Sequence, residues 1–475
     1  MPGDEPITGR RGALTMTTTV TAAHSTAPDA ASREPVSAPG RPPVADRGTR
    51  AASGAAGAAS GPGLVVWPLV CVQAALALVL GAWAADSPVL LAAAAPPAAA
   101  LVLIAVARRR GRPLPVWAAA VRRLRRRRRR AVGPLPSGVD PLLSLAAECE
   151  PGLRSYAVQR SKAAGGAGSG ALGSSWAGDV GMAGDGSRLT AVLRVEAPRA
   201  PLQPGRDGSP LPLALLADAL ETDGIVLDSV QCVQHTQPAP APQLPDQAIA
   251  GRNYAQLLGT AAQGGHAPAP GLRLTWVALR LDPERCRAAV AERGGGLKGA
   301  QRALTRAADQ LASRLTGAGF RTTVLSEAEL LSAVAACVSS NPATTTLIGQ
   351  GDGPRPRRTA ESTRGWRCDD RWHTTFEVSR WPEPGAGSVP LPALVAALTS
   401  GPAFATTFAL TLRRHGADAV SMAGHVRVTG RGEEHLRAAG EALLHTARGV
   451  RVGLARMDYE QLRGVRATLP LGGGH

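Results

Sequence analysis

The chain has 475 residues, with 53 Lys plus Arg against 36 Asp plus Glu and a formal net charge of +17. That length suits two or three domains, and aromatic residues at 3% are too few for a protein that holds single strands by stacking bases. Its six cysteines contain no CxxC pair, which points to scattered reduced thiols and against a disulfide framework or a zinc site.

Residues 1–63 are Ala, Pro, Ser, Thr and Gly with little apolar content, and the composition predicts a disordered tail. Arg10 and Arg11 superficially suggest a twin-arginine signal. The first apolar run begins more than 50 residues later, too far for the compact arrangement that processing needs. Residues 64–85 carry no charge and are about long enough to cross a bilayer as a helix. Pro68 falls in the first turn, where its missing N–H costs little. Trp67 and Trp83 lie near the two ends, at the depth that aromatic side chains prefer. After the short connector Asp86-Ser87-Pro88, residues 89–107 form a second uncharged run, Ala-rich and interrupted by Pro96 and Pro97. The expectation for residues 64–107 is a transmembrane hairpin whose second span is the weaker and is kinked.

Residues 108–130 hold twelve arginines and no acid, so this segment supplies most of the net charge. The positive-inside rule then predicts a multi-pass protein of the cell membrane, with two spans and both termini in the cytoplasm. Arg108, Arg109, Arg110 and Arg112, with Trp67 and Trp83, are the expected anchor and topology residues. Arg122, Arg123, Arg125, Arg126, Arg127, Arg128, Arg129 and Arg130 are expected to contact anionic lipid or an acidic partner. Nucleic acid would also attract arginines, but no aromatic or recognition-helix pattern accompanies the run, and none is expected as a partner. Val116, Trp117, Val121 and Leu124 punctuate the segment, so the juxtamembrane linker 108–139 is expected to include an amphipathic helix lying along the membrane.

Residues 140–475 read as a mixed α/β domain. Residues 188–196 alternate like a half-buried strand, 211–222 form a helix, and 225–235 a strand. Residues 272–281 (LRLTWVALRL) are a strong strand. Pro283 opens a helix through Ala291, and 297–315 is a long amphipathic helix. A strand over 320–325 and a helix over 327–338 follow. The second part gives a strand at 372–380, a helix at 391–398, strands at 403–413 and 419–429, and a helix at 433–448. Ser209-Pro210-Leu211-Pro212 is echoed by Val389-Pro390-Leu391-Pro392. The echo suggests two tandem β-α-β-β-α units, with halves at 140–345 and 360–475. The Gly/Ser-rich stretch from Ala163 to Gly186 reads as an inserted flexible linker.

Motifs that carry chemistry are few. No phosphate loop, G-x-S-x-G elbow or H-E-x-x-H pair occurs. Gly294-Gly295-Gly296 before Lys298 follows a helix and reads as a hinge. Asp369-Asp370 reads as a solvated turn; it could alternatively form a metal-binding acidic pair, and a membrane-anchored glycosyltransferase-like enzyme is the alternative function. No nucleophile, base and orienting group stand together, so no catalytic, cofactor-binding or metal residue is assigned and no cofactor is expected.

Three further segments carry a family resemblance. They are residues 251–259 (GRNYAQLLG), with Arg252 and Tyr254; residues 275–283 (TWVALRLDP), with Trp276, Arg280, Asp282 and Pro283; and the Arg293-Gly294-Gly295-Gly296 turn. Following a two-helix anchor and an arginine-rich exit, this order resembles the EccE component of actinobacterial type VII (ESX) secretion systems. The resemblance implies a non-enzymatic structural subunit that supports protein export across the cytoplasmic membrane. It also implies EccB-like, EccC-like and EccD-like membrane subunits as partners, the EccC-like ATPase supplying the energy.

Overall fold

This computed structural model describes residues 62–109, 112–131, 139–160, 178–197, 210–238, 249, 272–350, 356–383, 389–416 and 419–474. The tail expected to be disordered lies outside them, except for residues 62 and 63.

The first two elements are helices Pro62–Ala84 (α1) and Pro88–Val106 (α2), about 34 and 28 Å long at the usual helical rise. Asp86 turns the chain between them in a left-handed conformation, φ +48°, and its N–H donates to the Trp83 carbonyl at 3.1 Å. Pro88 opens α2 where its missing N–H is no loss, and the helix runs through Pro96 and Pro97. The two helices pack side by side. Small residues are buried there, Cys71, Ala75 and Ala82 from α1 and Ala98 from α2, while Leu69, Leu76, Leu80, Leu90 and Leu103 face outward. Side chains of α1 are described only from Leu69 onward. Among the described residues no helix is long and apolar enough to cross a membrane.

Helix α3 spans Leu114–Arg130 and α4 spans Ser144–Cys149. Then come β1 Arg154–Val158, β2 Val180–Gly184, β3 Leu189–Glu196, α5 Leu213–Asp218, β4 Ser229–Gln237 and β5 Leu272–Leu281. A 3-10 turn at Pro283–Cys286 leads into α6 Arg287–Glu292, α7 Gly296–Gly317, β6 Arg321–Val324, α8 Glu327–Cys337 and α9 Pro342–Gln350. The remaining elements are β7 Thr359–Glu361, β8 Trp366–Cys368, β9 Arg371–Arg380, α10 Leu391–Thr399, β10 Ala405–His415, β11 Ala419–Gly430, α11 Glu433–Gly449, β12 Gly453–Arg456 and α12 Gln461–Thr468.

These strands form one antiparallel sheet of 12, in the order β7-β8-β9-β11-β10-β4-β5-β3-β2-β1. Strand β6 pairs with β3 on the side that β2 occupies further along, and β12 pairs with β9 on the side of β8. The order seen from β1 to α8 thus recurs from β7 to α12, and the two series meet where Val233 of β4 lies opposite Ala409 of β10.

Helices cover both faces of the sheet. In β5, Trp276 and Ala278 join the core under α4, α8 and α12. Their neighbours Val277, Leu279 and Leu281 join the core under α5 and α7. A strand buried on both faces needs an almost unbroken apolar run, which residues 274–281 supply. Helix α7 answers with Ala300, Ala303, Leu304, Ala307, Ala308, Leu311 and Leu315 at three- and four-residue spacing. A capping box starts α8: Ser326 Oγ accepts from Glu329 N, and Ser326 N donates to Glu329 Oε2.

Several expectations need correction. The helix expected over 211–222 stops at Asp218. Residues 221–222 pair instead with 225–226 around Asp223-Gly224, whose φ angles of +53° and +71° are those of a type I′ hairpin turn. Gly224 therefore ends no helix. The expected flexible linker 163–186 contains β2, a strand buried throughout. A Cβ on Gly181 would lie 2.5 Å from the Ser326 backbone, so this glycine permits close packing. Residues 161–177 lie outside the described residues.

Candidate functional site, a clamped arginine helix

Helix α3 starts soon after α2, with Leu114 N donating to the Ala107 carbonyl at 3.2 Å. Its apolar residues turn toward the domain, unlike the expectation that they lie along a membrane. Ala120 and Leu124 are buried against Tyr459, with Trp117 and Val121 packed beside them. The Trp117 and Tyr459 rings meet edge to face, centroids 6.4 Å apart, and Trp117 Nε1 donates to Tyr459 Oη at 3.1 Å. Tyr459 has φ +66°, a conformation that costs a non-glycine residue energy. It is held there by its N–H, which donates to the Thr363 carbonyl at 2.7 Å.

Charge completes the clamp. Arg127 Nε and Nη2 donate to Glu361 Oε2 and Oε1 at 2.8 and 2.9 Å, and Nη2 also reaches the Tyr459 carbonyl. This two-pronged geometry is the one arginine favours with carboxylates. Glu361 is largely buried and accepts a further bond from Leu462 N. Arg128 Nε donates to the Glu361 carbonyl at 2.9 Å, and Arg123 lies 3.5 Å from Glu460. Arg122, Arg125, Arg126, Arg129 and Arg130 are exposed, and among the described residues none of them forms an ion pair.

The structure therefore divides the expected lipid or partner contacts between two faces. Of the anchor residues, Trp83 is 72% exposed. The side chains of Trp67, Arg108, Arg109, Arg110 and Arg112 lie outside the described residues, as do Arg252 and Tyr254. Sequence reasoning missed Glu361, Tyr459 and Glu460. The one available signal was a run of arginines without any local counter-charge.

The second motif of the sequence is brought together on β5. Trp276 is buried, its ring 6.4 Å from that of His235. Arg280 Nη2 donates to Asp185 Oδ2 at 2.7 Å, and Nη1 reaches the Leu471 and Gly473 carbonyls at 3.4 Å. Asp282 caps the following turn by accepting from Glu284 N, with Pro283 in the first position. Each role fixes backbone.

Asp369 is engaged elsewhere. Its two oxygens take Arg358 Nε and Nη2 at 2.7 and 2.6 Å, and Asn341 N donates to one of them at 3.0 Å. Both partners are about 5% exposed. Asp370 pairs with Arg371 at 3.1 Å. Asp369 is thus occupied and nearly buried, while Asp370 is 47% exposed, so the two carboxylates do not face one open site together. Among the described residues no group of three or more His, Cys, Asp or Glu could hold a metal.

Residues 269–378 match the family described as "Putative type VII ESX secretion system translocon, EccE". That stretch, under a quarter of the chain, is similar to the EccE family. It begins just ahead of β5 and ends within β9, so it contains Trp276, Arg280, Asp282 and Pro283 as well as Glu361. Residues 251–259 precede the EccE match, and α1 to α3 lie outside it. No curated protein matches the chain.

Proposed function

We propose that the chain is a non-enzymatic structural subunit of a type VII (ESX-type) secretion membrane complex. The EccE match over 269–378 carries this reading. In it, α1 and α2 form a two-span anchor in the cell membrane with both termini in the cytoplasm. The lack of charge in both helices, their outward leucines and the exposed Trp83 support that anchor. The sheet and its helices form the cytosolic body, built from two tandem units. The recurring order of elements and the antiparallel meeting of β4 with β10 support that relation. The domain divisions are thus a tail to 63, an anchor over 64–107, a linker over 108–139 and a body beyond it.

EccB-like, EccC-like and EccD-like subunits are the partners, and the EccC-like ATPase supplies the energy. Arg108 to Arg112 set topology, and the arginines of α3 meet anionic lipid or a neighbouring subunit. The experiment is affinity purification of the tagged chain from its native membrane in mild detergent. Recovery of the three partner types is expected. Emergence of the chain alone, with those partners expressed and extracted intact, overturns the reading.

A further inference from the structure

Helix α3 has two faces with opposite tasks. At about 100° per residue, Trp117, Ala120, Val121, Leu124, Arg127 and Arg128 share one side, and all meet the domain. Arg122, Arg125, Arg126, Arg129 and Arg130 fall within an arc of roughly 140° on the opposite side, and all five are exposed. With the inner face bound to Glu361 and Tyr459, the helix cannot roll to present any other set of side chains.

Resting on the membrane-anchored reading above, we infer that this outer face binds the anionic phospholipid headgroups of the bilayer that holds α1 and α2. Three observations favour that occupant. The face begins within a few turns of α2, to which α3 is tied by the Leu114 to Ala107 hydrogen bond. It carries five guanidinium groups and no acid, which suits a surface of many phosphates. Pro115, Ala118 and Ala119 are its other residues, so it offers no aromatic ring for stacking a base. Arg127 is excluded from the lipid contact, because its charge is spent on Glu361.

The full chain is inserted into nanodiscs of mixed phosphatidylcholine and phosphatidylglycerol, and the lipids it retains are counted by native mass spectrometry. Each surface arginine strengthens attachment to anionic lipid on the order of fivefold. The native chain is expected to retain phosphatidylglycerol over phosphatidylcholine by roughly tenfold or more. Changing Arg122, Arg125, Arg126, Arg129 and Arg130 together to Gln abolishes the preference. Changing the same five to Lys keeps it.

Equal retention of both lipids by the native chain overturns the inference, as does loss of the preference in the five-Lys variant. So does a five-Gln variant that keeps the preference but loses its partner subunits, since the face would then bind protein. Resistance of the inserted chain to carbonate extraction is scored separately. A chain that carbonate strips away refutes the anchor itself, whereas a resistant chain without lipid preference refutes only the role of the arginine face.

Discussion

Arg127 and Glu361 stand 234 residues apart in the sequence and meet through two parallel hydrogen bonds of 2.8 and 2.9 Å. The pair joins the arginine helix to the edge strand of the sheet. A partly buried, two-pronged ion pair is among the few worth counting.

Removing one member should therefore loosen the helix without unfolding the domain. Glu361→Gln keeps the shape but removes the charge, and should weaken α3 docking by about 2 kcal/mol. Amide hydrogen exchange over residues 114–130 reads the effect directly. Protection there should fall about tenfold or more, while β4 and β5 keep theirs. Unchanged exchange in α3 would mean that Trp117, Leu124 and Tyr459 hold it alone.

The buried ion pair of Arg358 with Asp369 makes a stronger demand. Asp369→Ala leaves a guanidinium buried without its counter-charge, at a cost of about 3–5 kcal/mol. The thermal midpoint of the variant should drop sharply, and manganese with a nucleotide sugar should not raise that of the native chain. A variant of native stability, together with a native chain stabilised by metal, would reinstate the enzyme reading.

Three buried histidines make stability pH-dependent. Burial, reinforced by the Arg427 charge, pushes His235 down to about 3 and holds His373 well below the usual imidazole range. Burial, with Arg463 and Arg413, pushes His425 down to about 4. Each is neutral when folded and gains a proton on unfolding below pH 6.5. Their contribution is complete above that pH and is lost as pH falls toward the folded values, by up to about 1.4 kcal/mol per pH unit for each histidine. The urea midpoint should fall between pH 7 and pH 5. His235→Gln should make the fall shallower, and a midpoint flat over that interval would contradict neutral burial.

Gly181 tests the packing of β2 on α8. A Cβ there would lie 2.5 Å from Ser326 backbone atoms, so Gly181→Ala should cost about 1–3 kcal/mol. Gly178 has nothing within 4 Å of the same atom, and Gly178→Ala should change stability by less than about 0.5 kcal/mol. Equal denaturation midpoints for the two variants would rule out the close approach.

The long elements were readable because their apolar spacing is strong. Residues 272–281 and 433–448 fell within a residue or so of β5 and α11. Short pieces were not readable: β7 and β8 have three residues each, too few to show a period, and α4 is six residues of a fully buried helix. The end of the helix expected over 211–222 was misplaced, because a following Asp223-Gly224 can end a helix or turn a hairpin, and only the pairing partner decides. The clamp was half visible. The arginines stood out, but Glu361 and Tyr459 reach them only through the sheet, across distances that no local pattern encodes.

The tail beyond α12 has a consequence for synthesis. Gly472 N donates to Gln231 Oε1, Ser229 Oγ donates to the Gly472 carbonyl, and Arg413 Nη2 donates to that of Gly473. Together with Arg280, these bonds stitch residues 471–473 across strands that lie between 60 and 243 residues earlier in the chain. Ser229 and Gln231 cannot make these bonds until residue 472 has left the ribosome. Helices α1 and α2 precede the body in the chain, and the body waits half-formed beside them until residues 471–473 follow. A nascent chain stalled in α11 would leave Ser229 and Gln231 without these partners, a ready target for chaperones and proteases.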